Sequence, residues 1–144
     1  MKAVIQRVLK AEVRSGDAFA EIGPGLVVLA GIEAKDTAAD IDWAAAKIAS
    51  LRLFEDDQGR MNLGFAEVGG EILAVSQFTL AGSIAKGRRP SFDSAMAPDP
   101  ARILFERFVE RLRAEDIPVQ TGFFQQRMEV ELVNDGPVTF VLER

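Results

Sequence analysis

The sequence predicts a single α/β domain with strand-rich mixed or antiparallel sheets, barrel-like or layered, covered by two long helices. Three observations predict it. The chain has 144 residues, enough for one domain with a sizeable core. β-Branched and alternating runs crowd both ends of the chain. Between them, two segments carry apolar residues at helical spacing behind N-terminal start signals. No repeat, low-complexity tract or linker divides residues 1–144, so the domain spans the chain.

Lys2 to Val8 is rich in β-branched residues and reads as the first strand. Ala11 to Arg14 and Ala18 to Ile22 flank Ser15-Gly16-Asp17, a hairpin signal. After the turn Gly23-Pro24-Gly25, the continuous apolar run Leu26 to Ile32 suits a strand covered on both faces. The first helix is expected from Thr37 to about Leu53. Thr37 and Asp40 stand at capping-box spacing, and Asp36 is an alternative cap. Ile41, Ala44, Ala45, Ile48 and Leu51 form its apolar face, with Trp43 beside them as a packing residue. Glu55-Asp56-Asp57-Gln58-Gly59 is a solvated polar turn, since the later ligands of a calcium loop are missing.

Glu71 to Leu80 reads as a nearly all-apolar strand, followed by a Gly-, Lys- and Arg-rich loop from Ala81 to Asp93. The second helix is expected from about Pro100 to Ala114, capped by Asp99, with Ile103, Leu104, Phe108 and Leu112 as its core stripe. Pro118 stops any continuation. Arg127 to Val133 alternates as a strand with one wet face, and Asn134-Asp135-Gly136-Pro137 is expected to turn the chain into a last strand, Val138 to Leu142.

Composition narrows the function. No apolar run approaches the roughly 20 residues that span a bilayer, and nothing at the N-terminus resembles a signal segment, so a cytoplasmic location is the default. A net charge of −5 argues against a surface that coats DNA or other nucleic acid broadly, but leaves room for a local basic contact. His, Cys and Tyr are absent, which removes the commonest general base and the strongest ordinary nucleophile. The same absence makes a zinc or copper site unexpected, and no cofactor is expected.

Three segments carry the chemistry that remains. Ser76, Gln77, Phe78 and Thr79 end the apolar strand, where hydroxyls, an amide and backbone N–H groups are placed to line a site. Lys86, Arg88 and Arg89 put three cations into an irregular loop that ends at Phe92, a patch suited to a phosphate-bearing partner. Gly136-Pro137 is a turn whose plain reading is a strand connection. On residue types alone, a non-catalytic RNA-binding module and a small hydrolase of nucleotides or amino-acid esters both stay open.

Two of these segments, Ser76-Gln77-Phe78-Thr79-Leu80 and Asn134-Asp135-Gly136-Pro137-Val138-Thr139, resemble the signatures of the D-aminoacyl-tRNA deacylases. The resemblance runs over nearly the whole chain. It takes in Met1-Lys2-Ala3-Val4-Ile5-Gln6-Arg7-Val8, Gly23-Pro24-Gly25-Leu26, Met61-Asn62-Leu63 and Lys86-Gly87-Arg88-Arg89-Pro90-Ser91-Phe92. The chain departs from the family at Phe124-Gln125-Gln126-Arg127, which differs from the usual Gly-Ala-Asp pattern before Met128, and at Ala81-Gly82-Ser83-Ile84.

The resemblance implies a homodimer that hydrolyses the ester of D-aminoacyl-tRNA and of glycyl-tRNA, including glycine mischarged on tRNA(Ala), while rejecting L-aminoacyl-tRNA. It implies that Gly136-Pro137 is cis and enters the partner subunit's pocket, with Asn134 in the same motif and Arg7 locking the turn. Ser76, Gln77, Phe78 and Thr79 would then carry catalysis, and Lys86, Arg88 and Arg89 would hold the tRNA acceptor end.

Overall fold

The computed structural model describes all 144 residues, Met1–Arg144. Along the chain lie β1 (Lys2–Ser15), β2 (Ala18–Ile22), β3 (Gly25–Gly31), α1 (Ala38–Ala49), β4 (Phe54–Glu55) and β5 (Met61–Leu63). There follow α2 (Phe65–Val68), β6 (Glu71–Ser76), a one-turn 3-10 helix (Phe78–Ala81), α3 (Pro98–Arg113), β7 (Val119–Thr121) and β8 (Glu129–Glu143). No helix is long and apolar enough to cross a membrane.

Six strands form one mixed sheet. β1 is antiparallel to β2, β3 and β8, whereas β3, β6 and β7 run parallel. Parallel strands need both faces covered, and the side-chain alternation shows how this is done. Leu26, Val28 and Ala30 of β3, with Ile72 and Ala74 of β6, join a core built with Ile41, Ala44, Ala45 and Ile48 of α1 and Phe105, Phe108, Val109 and Leu112 of α3. Val27, Leu73 and Val75 point the other way, into a second core with Val8, Ala11 and Val13 of β1 and Ile22 of β2. No helical residue enters that second core, so the sheet curls over itself to close it, nearly forming a barrel.

Several expected boundaries move. β1 is one strand rather than two, because β8 pairs with it from Lys2 to Arg14 and carries it through the middle. α1 does begin behind Thr37, whose hydroxyl and N–H both donate to Asp40; the hydroxyl first and the N–H second hold that carboxyl down at about 2. The helix ends at Ala49, so Leu51 packs from the segment after it. Trp43 packs at the surface rather than in the core: it is 38% exposed, with the Arg144 guanidinium carbon 4.6 Å from its ring centroid.

α3 starts at Pro98 behind Ala97, which leaves Asp99 in the first turn instead of at the cap. The buried stripe is therefore Phe105, Phe108, Val109 and Leu112, at i, i+3, i+4 and i+7, and Leu104 is half-buried. Ile103 falls on the opposite side of the helix and is 66% exposed, contrary to the expected stripe.

The strand expected to reach Leu80 stops at Ser76, where the chain tightens into the 3-10 helix. The strand expected from Arg127 begins at Glu129 instead, because a turn closed by Gln126 N–H to Phe123 O, with Gln125 at φ 59°, precedes it. The polar turn at Glu55–Gly59 is spanned by the β4–β5 hairpin, and Asp56 accepts from the N–H groups of Gln58 and Arg60.

Asn134–Pro137 corrects the sequence reading most usefully. It does not separate two strands; β8 runs straight through it. Gln6 pairs with Thr139 and Val8 with Asn134, so the segment Asp135–Val138 stands opposite Arg7 alone. The surplus residues leave the ladder as a bulge, which re-aims the chain locally without ending the strand.

Candidate active site

β3, β6 and β7 are parallel and end at the same sheet edge, the side on which α/β sheets hold ligands. A cavity of about 770 Å³ opens there, between the strand ends, the start of α3 and the segment leading into β8. Ser76, Gln77 and Phe78 line it from the sheet, and Phe92 and Met96 from the loop before α3. Phe124 to Met128 close the remaining wall.

The strand end is held by backbone. Gln77 N–H donates to Ala30 O at 2.8 Å, extending the β3–β6 ladder, and Leu80 N–H then closes on Gln77 O at 3.2 Å. This close stacking needs a glycine at Gly31: a Cβ there would lie 2.8 Å from Leu80 Cβ and 2.9 Å from Gln77 O. Phe78 and Thr79 open the 3-10 helix, so their N–H groups have no acceptor within it. The Gln77 side-chain amide donates to Thr79 Oγ1, and Thr79 does not line the cavity. Phe78 is 56% exposed and packs on Phe92 with ring centroids 5.1 Å apart, an aromatic rim beside the opening.

The basic loop is a pinched excursion. Ser83 and Ser91 exchange two backbone hydrogen bonds of 2.8 and 2.9 Å, and Gly87 takes φ +71° at its tip. Lys86, Arg88 and Arg89 are all exposed on this tip, and none pairs with a carboxylate. Phe92, one residue beyond the pinch, joins the loop to the cavity rim.

Arg7 and the β8 bulge form a second cluster. The Gly136–Pro137 peptide is cis, and Gly136 has φ +112°. A Cβ on Gly136 would sit 2.7 Å from Val138 Cγ2 and 3.2 Å from an Arg7 nitrogen, so only glycine fits. Asn134 Nδ2 donates to Arg7 O at 2.8 Å and to Val138 O at 3.1 Å, stapling both ends of the bulge. The Arg7 side chain is only 3% exposed. Its Nη1 donates to Leu53 O at 2.8 Å and its Nη2 to Glu55 Oε1 at 2.9 Å. Nε lies 2.8 Å from Asp135 Oδ2, an ion-pair contact too bent to be a hydrogen bond.

The structure thus brings Ser76, Gln77 and Phe78 into one cavity and Arg7, Asn134 and Gly136 into one cluster. It does not bring the two together within a single chain: neither Arg7 nor any residue from Asn134 to Thr139 lines the cavity. Residue reasoning also missed part of the wall. Met96 carries no reading, Met128 and Arg127 read only as the two faces of a strand, and Phe124 to Arg127 otherwise stand out only by departing from the family pattern.

Comparison with known proteins supplies the context. The family model described as D-Tyr-tRNA(Tyr) deacylase matches residues 4–143. A D-aminoacyl-tRNA deacylase of Geobacter sulfurreducens is 58% identical over 144 residues, covering 99% of this chain and 95% of that protein. One from Pelobacter propionicus is 57% identical over 145 residues, covering 100% of both. Among solved structures, the c-Myc DNA Unwinding Element Binding Protein superposes with a TM-score of 0.92 at 40% identity, covering 100% of this chain and 99% of that one. A structure described as a probable eukaryotic D-amino acid tRNA deacylase shares the fold, with a TM-score of 0.84 at 19% identity and coverage of 98% and 97%. With the family model spanning nearly every residue and full-length relatives above half identity, the chain belongs to the D-Tyr-tRNA(Tyr) deacylase family.

Proposed function

We propose that this protein hydrolyses the ester joining a D-amino acid to the 3′-terminal ribose of tRNA, and that of glycyl-tRNA, and leaves L-aminoacyl-tRNA intact. Glycine mischarged on tRNA(Ala) is included, and the role is proofreading in the cytoplasm. The observation that carries the reading is the cavity at the C-terminal ends of β3 and β6, lined by Ser76, Gln77 and Phe78 in a chain of this family.

An aminoacyl ester is already activated, so orientation and oxyanion stabilisation suffice without a strong base. The N–H groups of Phe78 and Thr79 receive the developing oxyanion, and the neighbouring ribose 2′-hydroxyl helps position water. Ser76 and Gln77 orient the strand end against the terminal adenosine. The Thr79 hydroxyl is a poor candidate nucleophile, because its oxygen accepts from the Gln77 amide and no base stands within hydrogen-bond reach of it. Thr79→Ala should keep single-turnover hydrolysis within about tenfold of the parent protein, since removing one positioning hydrogen bond is worth about 1 kcal/mol. A loss of several orders of magnitude would make Thr79 the nucleophile.

Selection against L substrates comes from a wall rather than a pocket. A pocket gains only about 1–3 kcal/mol per methylene, too little to spare abundant L-aminoacyl-tRNA, whereas a clash with fixed backbone rejects the wrong enantiomer outright. The stapled Gly136–Pro137 bulge is that wall, and it acts in the partner subunit's cavity. A homodimer is supported by β8, which pairs with β1 alone and leaves Val130, Val133, Phe140 and Val141 exposed along a strand of 15 residues. Glycine has no side chain to reject, so glycyl-tRNA passes.

Lys86, Arg88 and Arg89 hold acceptor-end phosphates, with little base readout. Neutralising all three should lower kcat/KM by about tenfold or more at low salt and flatten its salt dependence by about one unit of slope per residue. Unchanged activity and slope would move the tRNA elsewhere. One incubation tests the function as a whole: D-tyrosyl-tRNA, glycyl-tRNA and a free D-tyrosine ester, each followed by amino-acid release. The two tRNA esters should be cleared and the free ester spared; cleavage of the free ester alone would indicate a small esterase instead.

A further inference from the structure

Arg127 stands apart among the residues of the cavity. Of the sixteen that line it, ten are hydrophobic and Arg127 alone is charged, in a chain whose net charge is −5. Arg7, Arg14, Arg107, Arg111 and Arg144 each lie within 4 Å of a carboxylate. Arg127 has no such neighbour and makes no hydrogen bond through its guanidinium.

The segment leading into it is nevertheless tethered by the two side chains that precede it. Gln125 Oε1 accepts from Arg102 Nη2 at 2.9 Å, and that guanidinium also sits 4.5 Å from the Phe124 ring. Gln126 Oε1 accepts from Ser15 Oγ at 2.6 Å. Each glutamine is thereby tied to the scaffold through its side-chain oxygen, and Arg127 is the one charged group of this wall.

We propose that Arg127 binds an anionic group of the substrate inside the cavity, through the planar N–H fork with which arginine grips carboxylates and phosphates. The proposal rests on the aminoacyl-tRNA reading above and adds a specificity determinant to it. Two parts of such a substrate carry that chemistry: an acidic side chain on the D-amino acid, and the phosphate of the terminal nucleotide.

The test compares the full-length protein with Arg127→Gln and Arg127→Lys on the same tRNA carrying D-aspartate or D-tyrosine. Arg127→Gln should lose about tenfold or more in kcat/KM, mainly through KM, and Arg127→Lys should recover part of the loss. A loss on D-aspartyl-tRNA about tenfold greater than on D-tyrosyl-tRNA assigns the anion to the acyl side chain. An equal loss on both, with a shallower salt dependence, assigns it to the phosphate. Parent-like kcat/KM for Arg127→Gln on both substrates overturns the proposal and makes Arg127 a solvated surface residue. The parent protein separates this failure from failure of the functional reading, because only the latter leaves both substrates intact with unmutated protein.

Discussion

Arg7→Met is expected to cost this protein its selectivity as well as part of its stability. The substitution keeps a long apolar stem in β1 but removes the guanidinium that ties the β8 bulge to Leu53 and Glu55. Loss of one member of a buried pair costs about 3–5 kcal/mol where the partner stays buried. Here the Glu55 and Asp135 side chains are 53% and 38% exposed and can rehydrate. The main penalty is then the stranded Leu53 carbonyl, about 1–3 kcal/mol, which corresponds to a fall in Tm of about 3–10 °C. If the Gly136–Pro137 bulge is the wall of the proposed function, freeing it should raise hydrolysis of L-aminoacyl-tRNA and lower the D-to-L ratio of kcat/KM by about tenfold or more. Arg7→Lys, which keeps the charge but lacks the fork, should fall between. A variant that melts lower yet discriminates as well as the parent would reduce Arg7 to a structural residue.

The second large effect is expected at Gly25. This residue pairs with Glu71 at the start of the β3–β6 ladder, and a Cβ there would lie 2.0 Å from Glu71 O and 2.8 Å from both Glu71 C and N. All three are backbone atoms, so no side-chain rotation relieves the clash; the strands must separate. Opening a buried parallel ladder should cost on the order of 3–5 kcal/mol, a large part of a domain's stability. It would also disturb the far end of the same ladder, where Gln77 reaches Ala30. Gly25→Ala should therefore lower Tm by about 10 °C or more and depress hydrolysis of every substrate together. Gly16→Ala is the control: its φ of +59° strains an alanine where Gly25 has no positive φ, but the space around it is open, and a cost of about 1 kcal/mol is expected. Equal melting of the two variants would show that the predicted crowding at Gly25 is absent.

The sequence made the apolar architecture legible. The unbroken run at Leu26–Ile32 and the run Ile72–Val75 announced strands covered on both faces, and they lie side by side in the sheet. The start signals at Thr37 and at Asp99–Pro100 found both main helices, although the second begins two residues earlier than expected, at Pro98 behind Ala97. Periodicity could not locate Ile103, since a stripe is only as good as the register assumed for it. It could not show the bulge in β8 either. Gly-Pro reads as a turn by residue type, and only the pairing of Asn134 with Val8 and of Thr139 with Gln6 reveals that the strand continues through it.

The site was half legible. Ser76, Gln77 and Phe78 do line the cavity, and the strand end that carries them follows from an apolar run that stops at a serine. Phe124, Met96 and Met128 are cavity wall, but apolar residues in loops carry no mark that separates wall from core. Arg127 reads as the wet face of a strand and as a departure from the family pattern; that it is the one charge in the cavity is a fact of topology.

The proposed function places a chiral filter on an ester hydrolase. It is tested most directly by following amino-acid release from D-tyrosyl-tRNA and L-tyrosyl-tRNA, made on the same tRNA, at one concentration of the purified protein. The account predicts that the D ester is cleared while the L ester decays no faster than without protein. Equal rates on the two enantiomers, or faster release from the L ester, would contradict it.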